Sequence, residues 1–109
     1  MLKGAYNIFF ETLGNKNRLM ILGSLEKTPK TVGELTKELK LDQTTISHNL
    51  RRLYVTGFVK ARKRGKNKLY EANKKIVTPL LNLVNYHLRC NCSELCRCRE
   101  NELREKLRR

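Results

Sequence analysis

The sequence predicts a mainly α-helical domain with one small β-hairpin, in the order α-α-α-α-β-β-α. Apolar residues recur at helical spacing through four successive segments, which indicates four amphipathic helices. Two short runs of alternating polar and apolar residues follow, on either side of a glycine, and indicate a hairpin. A pair of helices followed at once by a basic hairpin is the winged helix-turn-helix arrangement, which is therefore the predicted fold.

The first two helices are delimited by glycine, asparagine and proline. An apolar stripe runs from Leu2 to Leu13, and Gly14 ends that helix. Asn15 is a suitable N-cap for a second helix from Lys16 to about Lys27, which Pro29 prevents from continuing. The leucines expected in its buried face are Leu19, Leu22 and Leu25.

Capping signals predict where the third and fourth helices begin. Thr31 and Glu34 form a capping box, so the third helix should begin at Val32. Asp42 is a suitable N-cap for a fourth helix that runs to about Val55. The residues expected to face inward are Val32, Leu35 and Leu39 in the third helix and Ile46, Leu50 and Leu53 in the fourth.

Glycines mark the hairpin, and a proline marks the last helix. Gly57 ends the fourth helix, and strands over about Val59–Lys63 and Lys68–Ala72 are joined at Gly65-Lys66-Asn67. Thr78-Pro79 predicts the start of a long last helix, with a short helical turn before it. The apolar stripe of that helix is Leu80, Leu81, Val84 and Leu88, and residues 99–109 are expected to form a solvated or frayed helix.

The chain is strongly basic, and its charge is unevenly distributed. It carries 24 Lys and Arg against 10 Asp and Glu in 109 residues, a formal net charge of +14. Residues 41–75 hold 10 basic and 2 acidic groups, whereas residues 1–40 and 76–109 each hold 7 basic and 4 acidic groups. The excess falls on the fourth helix and the hairpin, which indicates a nucleic acid as partner.

The outer face of the fourth helix carries side chains suited to reading DNA bases. Small polar residues near the N-terminus of such a helix reach base edges, and an amide can bond adenine. Basic residues in the hairpin contact phosphates and supply affinity rather than sequence preference. Thr45 has an alternative role in the helix cap, and His48 can point outward without a ligand. The candidate DNA-binding residues are Gln43, Thr44, Thr45, Ser47, His48, Arg51, Arg52, Arg62, Arg64, Lys66 and Lys68.

The same residues carry a family resemblance. The run from Leu41 to Ala72 is similar to the pattern L-x-x-S-T-V-S-x-H-L-x-x-L-x-x-x-G-L-V, followed by a charged wing, of the ArsR/SmtB superfamily of metal-responsive repressors. Asn49 stands where that family often has histidine, and the resemblance covers roughly residues 5–88. It implies a homodimer formed through the first and last helices, which would present two groove helices to a palindromic operator in double-stranded DNA.

The sensing sites best known in that family are missing here. A Cys-x-Cys follows Glu-Leu in the third helix of such members, whereas Glu34-Leu35 is followed here by Thr36. The Asp and His set of the last helix is reduced here to His87. Any signal must therefore be received elsewhere in this chain.

All four cysteines lie within nine residues near the C-terminus, in the pattern C-x-C-x3-C-x-C. In one continuous helix they would lie at about 0°, 200°, 240° and 80°, so a single ion could bind all four only if the helix broke near Cys90. Thiolates suit Zn, As, Cd and Cu ions, and the flanking arginines favour thiolates. A metal or metalloid site, disulfides and inert thiols all remain open for Cys90, Cys92, Cys96 and Cys98.

The sequence predicts a DNA-binding protein, and the resemblance implies a homodimeric, sequence-specific transcriptional repressor, although the apolar stripes of the first and last helices could equally form the core of one monomer. Residues 1–89 would form the DNA-binding and dimerisation domain, and residues 90–109 a Cys-rich extension that responds to metal or redox state. The alternative is a constitutive or architectural DNA-binding protein whose cysteines form a structural metal site or disulfides. Binding of RNA by the same fold is a third possibility, which the polar groove helix disfavours.

Other protein classes find little support in the chain. The two histidines, His48 and His87, fall on different predicted helices, and no phosphate loop or nucleophile motif accompanies them, so an enzyme is not expected. No apolar run approaches the roughly 20 residues of a membrane span. Because the start of the sequence also lacks a secretory signal, we expect a cytoplasmic protein.

Overall fold

A computed structural model of the chain describes residues 3–92, 95 and 98–108, and it confirms the predicted fold class. Leu2, which the sequence assigned to the first helix, lies outside the described residues. The chain divides into two compact units, one ending at Val77 and the other beginning at Thr78. The elements are α1 (Ala5–Leu13), α2 (Lys16–Lys27), α3 (Val32–Leu39), α4 (Gln43–Val55), β1 (Val59–Arg64), β2 (Asn67–Ala72), α5 (Lys74–Asn91) and α6 (Glu100–Arg108).

The core of the first unit lies where α2, α3 and α4 pack against one another and against the hairpin. Phe58, which follows α4, is fully buried, and its ring centroid lies 5.0 Å from that of Phe9. Burial of each such side chain contributes about 1.5–3 kcal/mol. The buried apolar residues are Ile21, Leu22, Leu25, Leu35, Ile46, Leu50, Leu53, Phe58, Val59, Leu69, Ala72 and Val77.

The predicted N-caps of α2, α3 and α4 are confirmed, whereas Thr78, predicted to cap the last helix, lies inside α5. The Asn15 side chain accepts a hydrogen bond from the backbone N–H of Arg18, and Thr31 and Glu34 form the reciprocal bonds of a capping box. The Asp42 carboxylate accepts the N–H of Thr45. Because each bond satisfies an N–H group that a first turn leaves free, α2, α3 and α4 begin where the sequence predicted.

The hairpin is tighter than expected. Arg64 pairs with Asn67, so each strand is one residue longer than predicted and the turn contains only Gly65 and Lys66. Gly65 has φ +62°, the conformation that a type II′ turn requires at its first central position. A further antiparallel bridge pairs Lys30 with Tyr70 and adds a short third segment beside β2, which the sequence did not predict.

Two expectations about helices were wrong. Leu19 was expected in the buried face of α2, but it is 44% exposed. Leu19 and Leu25 are six residues apart, which is about 600° along a helix, so their side chains point about 120° apart around the axis. The last helix begins at Lys74 and runs through Pro79 instead of starting there. Val77, in the first turn, is buried and donates its N–H to Asn73, so packing holds that turn in the helix despite the bond that Pro79 cannot make.

The side chains of the second unit are less buried than those of the first. Of the predicted stripe on α5, Leu80, Leu81 and Leu88 are half-buried, and Val84 is exposed. The residues of α6 are exposed apart from Leu103, as expected of a solvated tail. Among the described residues, no helix combines the length and the apolar character needed to cross a bilayer.

Candidate nucleic-acid interface

The outer face of α4 has the polar surface that the sequence predicted. Gln43, Thr44, Ser47, His48 and Arg51 are all exposed, while Ile46, Leu50 and Leu53 on the opposite side are buried. The buried side holds α4 to the core, so the exposed side projects from a rigid element. Such an amphipathic helix can insert its polar face into a DNA groove without losing its packing.

An open cleft of about 370 Å³ separates α4 from the hairpin. Ser47, Arg51 and Tyr54 form its helical wall, since spacings of four and three residues place them on one face. The hairpin wall carries three cations, so one phosphodiester strand would find positive charge on both sides. The residues lining the hairpin wall are Ala61, Arg62, Lys63, Lys68 and Tyr70.

A second open cleft, of about 580 Å³, lies on the other side of the β2 side chains. Gln43, at the start of α4, lines it together with Lys66 from the hairpin turn and Lys37 from α3. Lys68 and Tyr70 line both clefts and therefore form the ridge between them. Six of the predicted DNA-binding residues therefore line these two clefts: Gln43, Ser47, Arg51, Arg62, Lys66 and Lys68.

Three further predicted residues, Thr44, His48 and Arg64, line neither cleft and are exposed. Arg64 lies at the end of β1. Its charge also acts on α3: hydrogen bonds with Thr31 are the main cause that lowers the pKa of Glu34, and the nearby Arg64 and Lys30 lower it further. Thr44 and His48 project from α4 into solvent.

Thr45 has a structural role. Its hydroxyl lies 2.6 Å from one carboxylate oxygen of Asp42, and its N–H donates to the other. Both hydrogen bonds favour the ionised carboxylate and lower the pKa of Asp42. The structure therefore places Thr45 in the helix cap, the alternative that the sequence left open, and its hydroxyl is already engaged.

Arg52 is placed apart from the other candidate residues. Its Nε donates to Thr12 Oγ1 in α1 at 2.9 Å, and its Nη2 lies 3.9 Å from a carboxylate oxygen of Glu11. One residue turns 100° along a helix, which is enough to move Arg52 off the face that carries Arg51. The expectation that both arginines face DNA is corrected for Arg52.

Lys30 attaches the hairpin to the core, a role that its charge did not suggest. Its backbone N–H and C=O both bond Tyr70, at 2.9 and 2.8 Å. Its ammonium group lies 2.6 Å from Glu38 and also donates to Ser24. The hydrogen bond from Lys30 is the main cause that lowers the pKa of Glu38, and a hydrogen bond from the Ser24 hydroxyl lowers it further. Lys30 therefore positions the wing against α2 and α3.

Two residues of the interface were missed by the sequence reasoning as binding candidates. Tyr54 is not among the DNA-binding residues that the sequence predicted, yet it is 55% exposed and lines the first cleft. Lys63 was predicted only as the end of the first strand, but it lines the same cleft. The sequence does contain a pattern that indicates this role for Tyr54, because it lies seven residues after Ser47 and three after Arg51, on the same helical face.

The cysteines belong to the second unit, and the structure describes three of the four. Cys90 is exposed near the end of α5, Cys92 is half-buried just beyond it, and Cys98 is half-buried with its sulfur 3.6 Å from Lys106 Nζ. Cys96 lies outside the described residues. Within the described ranges, no three His, Cys, Asp or Glu side chains are grouped closely enough to hold a metal ion.

Known proteins are similar to this chain in sequence and in fold. Residues 15–61 match the model of the bacterial regulatory protein, arsR family. An uncharacterized HTH-type transcriptional regulator of Methanocaldococcus jannaschii is 40% identical over 77 residues, which cover 70% of this chain and 86% of that protein. The transcriptional activator HlyU of Vibrio cholerae is 29% identical over 87 residues, which cover 80% of each chain.

A solved structure gives the same result. The homodimeric winged helix-turn-helix DNA-binding domain of a possible ArsR-family regulator from Mycobacterium bovis superposes with a TM-score of 0.74, at 28% identity and 83% coverage of both chains. These relatives are regulators of transcription, a class distinct from enzymes. The chain belongs to the arsR family of winged helix-turn-helix, DNA-binding transcription regulators.

Proposed function

We propose that the protein is a homodimeric, sequence-specific repressor that binds a palindromic operator through α4 and the wing. The observation that supports this most directly is the cationic cleft between Ser47, Arg51 and Tyr54 on α4 and the basic side chains of the hairpin. A cleft with cations on both walls fits the backbone beside a groove in which α4 lies. We expect the polar face to read bases while the wing grips phosphates.

The base-reading role is assigned to Gln43, Thr44, Ser47 and His48. The phosphate-contacting role is assigned to Arg51 and the wing cations, with Lys63 and Tyr54 added to the original set. Thr45 and Arg52 are left out, because the Thr45 hydroxyl bonds Asp42 and the Nε of Arg52 bonds Thr12. The phosphate-contacting residues of the wing are Arg62, Lys63, Arg64, Lys66 and Lys68.

The dimer is supported by apolar surface that the single chain leaves uncovered. On α1, Tyr6 and Phe10 are 52% and 62% exposed; on α5, Leu83 and Tyr86 are 65% and 61% exposed. Exposed aromatic and aliphatic side chains in such numbers are typical of a protein interface. The M. bovis relative of similar fold is homodimeric by its description. Sedimentation should therefore give a mass of two chains at micromolar concentration.

Sequence-specific binding can be tested without knowing the operator. Selection of duplexes from a random library with the wild-type protein should enrich a sequence with two inverted half-sites about one turn of DNA apart. A Gln43→Ala variant should then change the preferred base at one position of each half-site, by about 1–3 kcal/mol in discrimination. Recovery of random sequence from repeated selections would reject this part of the proposal.

Repression is proposed because a bound dimer can exclude polymerase by occupancy alone, whereas activation requires an additional contact with the transcription machinery. The V. cholerae relative is named an activator, so the experiment has to resolve the sign. Transcription in vitro from a promoter that overlaps the selected duplex should fall as the protein is added. A rise in transcript would instead assign activation.

The signal is proposed to enter at the cysteines of the C-terminal extension, residues 90–109. The end of α5 at Asn91, between Cys90 and Cys92, removes the continuous helix that would separate the thiols. The ammonium of Lys106 lies 3.6 Å from the Cys98 sulfur, so one of the thiols has a cation beside it. A thiophilic ion, or oxidation to disulfides, would shift DNA affinity only if it binds or forms unequally in the two states.

The alternative is a constitutive DNA-binding protein whose cysteines form a structural site. A variant with all four cysteines replaced by serine separates the two. DNA affinity would be measured with and without Zn(II), Cd(II) or As(III), and after thiol oxidation. If the cysteines act as a sensor, the variant loses the response of DNA affinity and keeps its stability. If they form a structural site, the variant loses stability. Equal affinity of the wild-type protein under all these conditions would contradict the sensing proposal.

A further inference from the structure

The C-terminal end of α1 is capped by an arginine from the next helix. Arg18 Nε donates to the carbonyl of Thr12 at 2.7 Å, and its Nη2 donates to the carbonyl of Glu11 at 3.1 Å. These carbonyls lie in the last turn of α1, where no helical N–H is available and a cation is favoured. The position of Arg18 is therefore tied to the end of α1.

The same guanidinium reaches α4 through Asn49. Arg18 Nη1 donates to Asn49 Oδ1 at 3.1 Å, and the Asn49 amide donates to the carbonyl of Thr45 at 2.9 Å. Asn49 is 7% exposed, so both ends of its amide are satisfied inside the protein. Thr45 is the residue that Asp42 caps. One chain of hydrogen bonds therefore runs from α1 to the first turn of the helix proposed to read DNA.

A second connection runs from α4 back to α1. Arg52 Nε donates to Thr12 Oγ1, and this hydroxyl donates in turn to the carbonyl of Ile8 at 2.7 Å. Thr12 is fully buried, and the solvent-shielded Arg52 Nη2 has no hydrogen-bond partner among the described residues. Thr12 thus meets both arginines, Arg18 through its carbonyl and Arg52 through its hydroxyl.

The charges make this connection sensitive to the position of α1. Arg18 and Arg52 both bond Thr12 at the end of α1, and the Glu11 carboxylate lies 3.9 Å from Arg52 Nη2. Burial lowers the pKa of Arg18, the repulsion of Arg52 lowers it further, and Glu11 partly opposes both effects. A displacement of α1 would move Glu11 and Thr12 together, and would leave two cations repelling each other between α2 and α4.

We propose that Glu11, Thr12, Arg18, Asn49 and Arg52 form a junction that positions the DNA-reading helix according to the placement of α1. This inference rests on the proposed function, in which α1 contributes to the dimer interface. A change at that interface would reach α4 through these hydrogen bonds. Arg18, Asn49 and Arg52 are positioning residues: they would set the orientation of Gln43, Ser47 and Arg51 without contacting DNA.

The junction can be broken without changing the charge of the protein. Thr12→Val removes the hydroxyl that receives Arg52 and nearly preserves volume, while Thr12→Ser keeps a hydroxyl and is the matched control. Asn49→Leu removes both bonds of the amide at similar volume. Affinities for the duplex selected by the wild-type protein and for a scrambled duplex of equal length would be measured at one salt concentration. Circular dichroism at the temperature of the binding measurements verifies that each variant is folded.

We expect Thr12→Val and Asn49→Leu to lower the ratio of selected to scrambled affinity by about tenfold. Affinity for the scrambled duplex should stay within about twofold, because phosphate contacts dominate it and no charge has changed. Thr12→Ser should keep the wild-type ratio. If Asn49→Leu does not fold, the Thr12 pair of variants still decides the question.

A different result is expected if the junction only stabilises the fold and does not position α4. Thr12→Val would then lower the melting temperature and leave the affinity ratio of the folded variant at the wild-type value, which would overturn the inference. Failure of the proposed function is distinguishable, because in that case the wild-type protein would select no duplex, or would bind none, before any variant is compared.

Discussion

Arg51 and Arg52 are adjacent in the sequence and have the same chemistry, but they lie on different sides of α4. Arg51 is exposed and lines the cleft between α4 and the wing, whereas the Arg52 side chain is 34% exposed and bonds Thr12 in α1. We propose that the outer face of α4 meets DNA, whereas its inner edge is part of the fold. The comparison shows that a basic residue in a DNA-binding protein acquires its role from its helical face rather than from its charge.

The largest contrast between the two sides of α4 should appear in stability. Leu50 is 1% exposed, so Leu50→Ala should lower the free energy of unfolding by about 2–5 kcal/mol. Ser47→Ala, on the exposed face of the same helix, should change it by no more than about 0.5 kcal/mol. Urea denaturation of both variants measures the difference, and equal losses would contradict the assignment of the two faces.

The second-largest expected effect is on DNA affinity, when the cations of the wing are removed. Simultaneous replacement of Arg62, Lys63 and Lys68 by alanine should weaken binding to every duplex by about a hundredfold at physiological salt. The slope of log K against log salt should become shallower by as much as about three. Replacing Lys16, Lys27 and Lys75, which line neither cleft, removes the same charge and serves as the control. An equal loss in both triple variants would show that net charge alone sets the affinity.

The adjacent arginines provide a smaller and sharper test. Arg51→Met should weaken binding to all duplexes and reduce the salt slope by about one, with stability within about 0.5 kcal/mol of wild type. Arg52→Met should instead cost about 1–2 kcal/mol of stability, since it breaks the bond with Thr12, and should leave the salt slope unchanged. Exchange of these two outcomes would reverse the assignment of the faces.

The smallest expected effect is at the cap of α4. The pKa of Asp42 is lowered in the folded protein by its hydrogen bonds with Thr45, so the ionised carboxylate stabilises the fold. That stabilisation is present above the unfolded pKa near 3.9 and is lost as the pH falls through the folded value. Asp42→Ala should therefore lower the melting temperature by a few degrees at pH 7 and by less at pH 2.5. A difference that does not shrink in acid would exclude the ionised cap.

Local features of the chain could be predicted well because local chemistry determines them. Asn15, Thr31 and Asp42 each cap a helix by bonding an N–H three residues away, and the polar face of α4 follows from helical periodicity. Gly65 predicted the turn of the hairpin, since few other residues adopt its positive φ. These features suffice to place the reading helix beside the wing.

Features that depend on distant parts of the chain could not be predicted. Lys30 and Arg52 look like further members of a basic surface, yet each is held by a group from another element, Glu38 and Thr12. The burial of Asn49 depends on Arg18, which is 31 residues earlier in the chain. Long-range polar pairing of this kind has no periodicity, so only the folded structure reveals it.

If α4 and the wing form the DNA-binding surface, DNA should change the chemical reactivity of the lysines on the wing. The wild-type protein would be acetylated with a lysine reagent, alone and with the selected duplex, and the modified sites identified by mass spectrometry. We predict that Lys63, Lys66 and Lys68 become protected, while the exposed Lys16 and Lys27 of α2 react as before. Unchanged reactivity of Lys63 and Lys68 in the presence of saturating DNA would contradict the account.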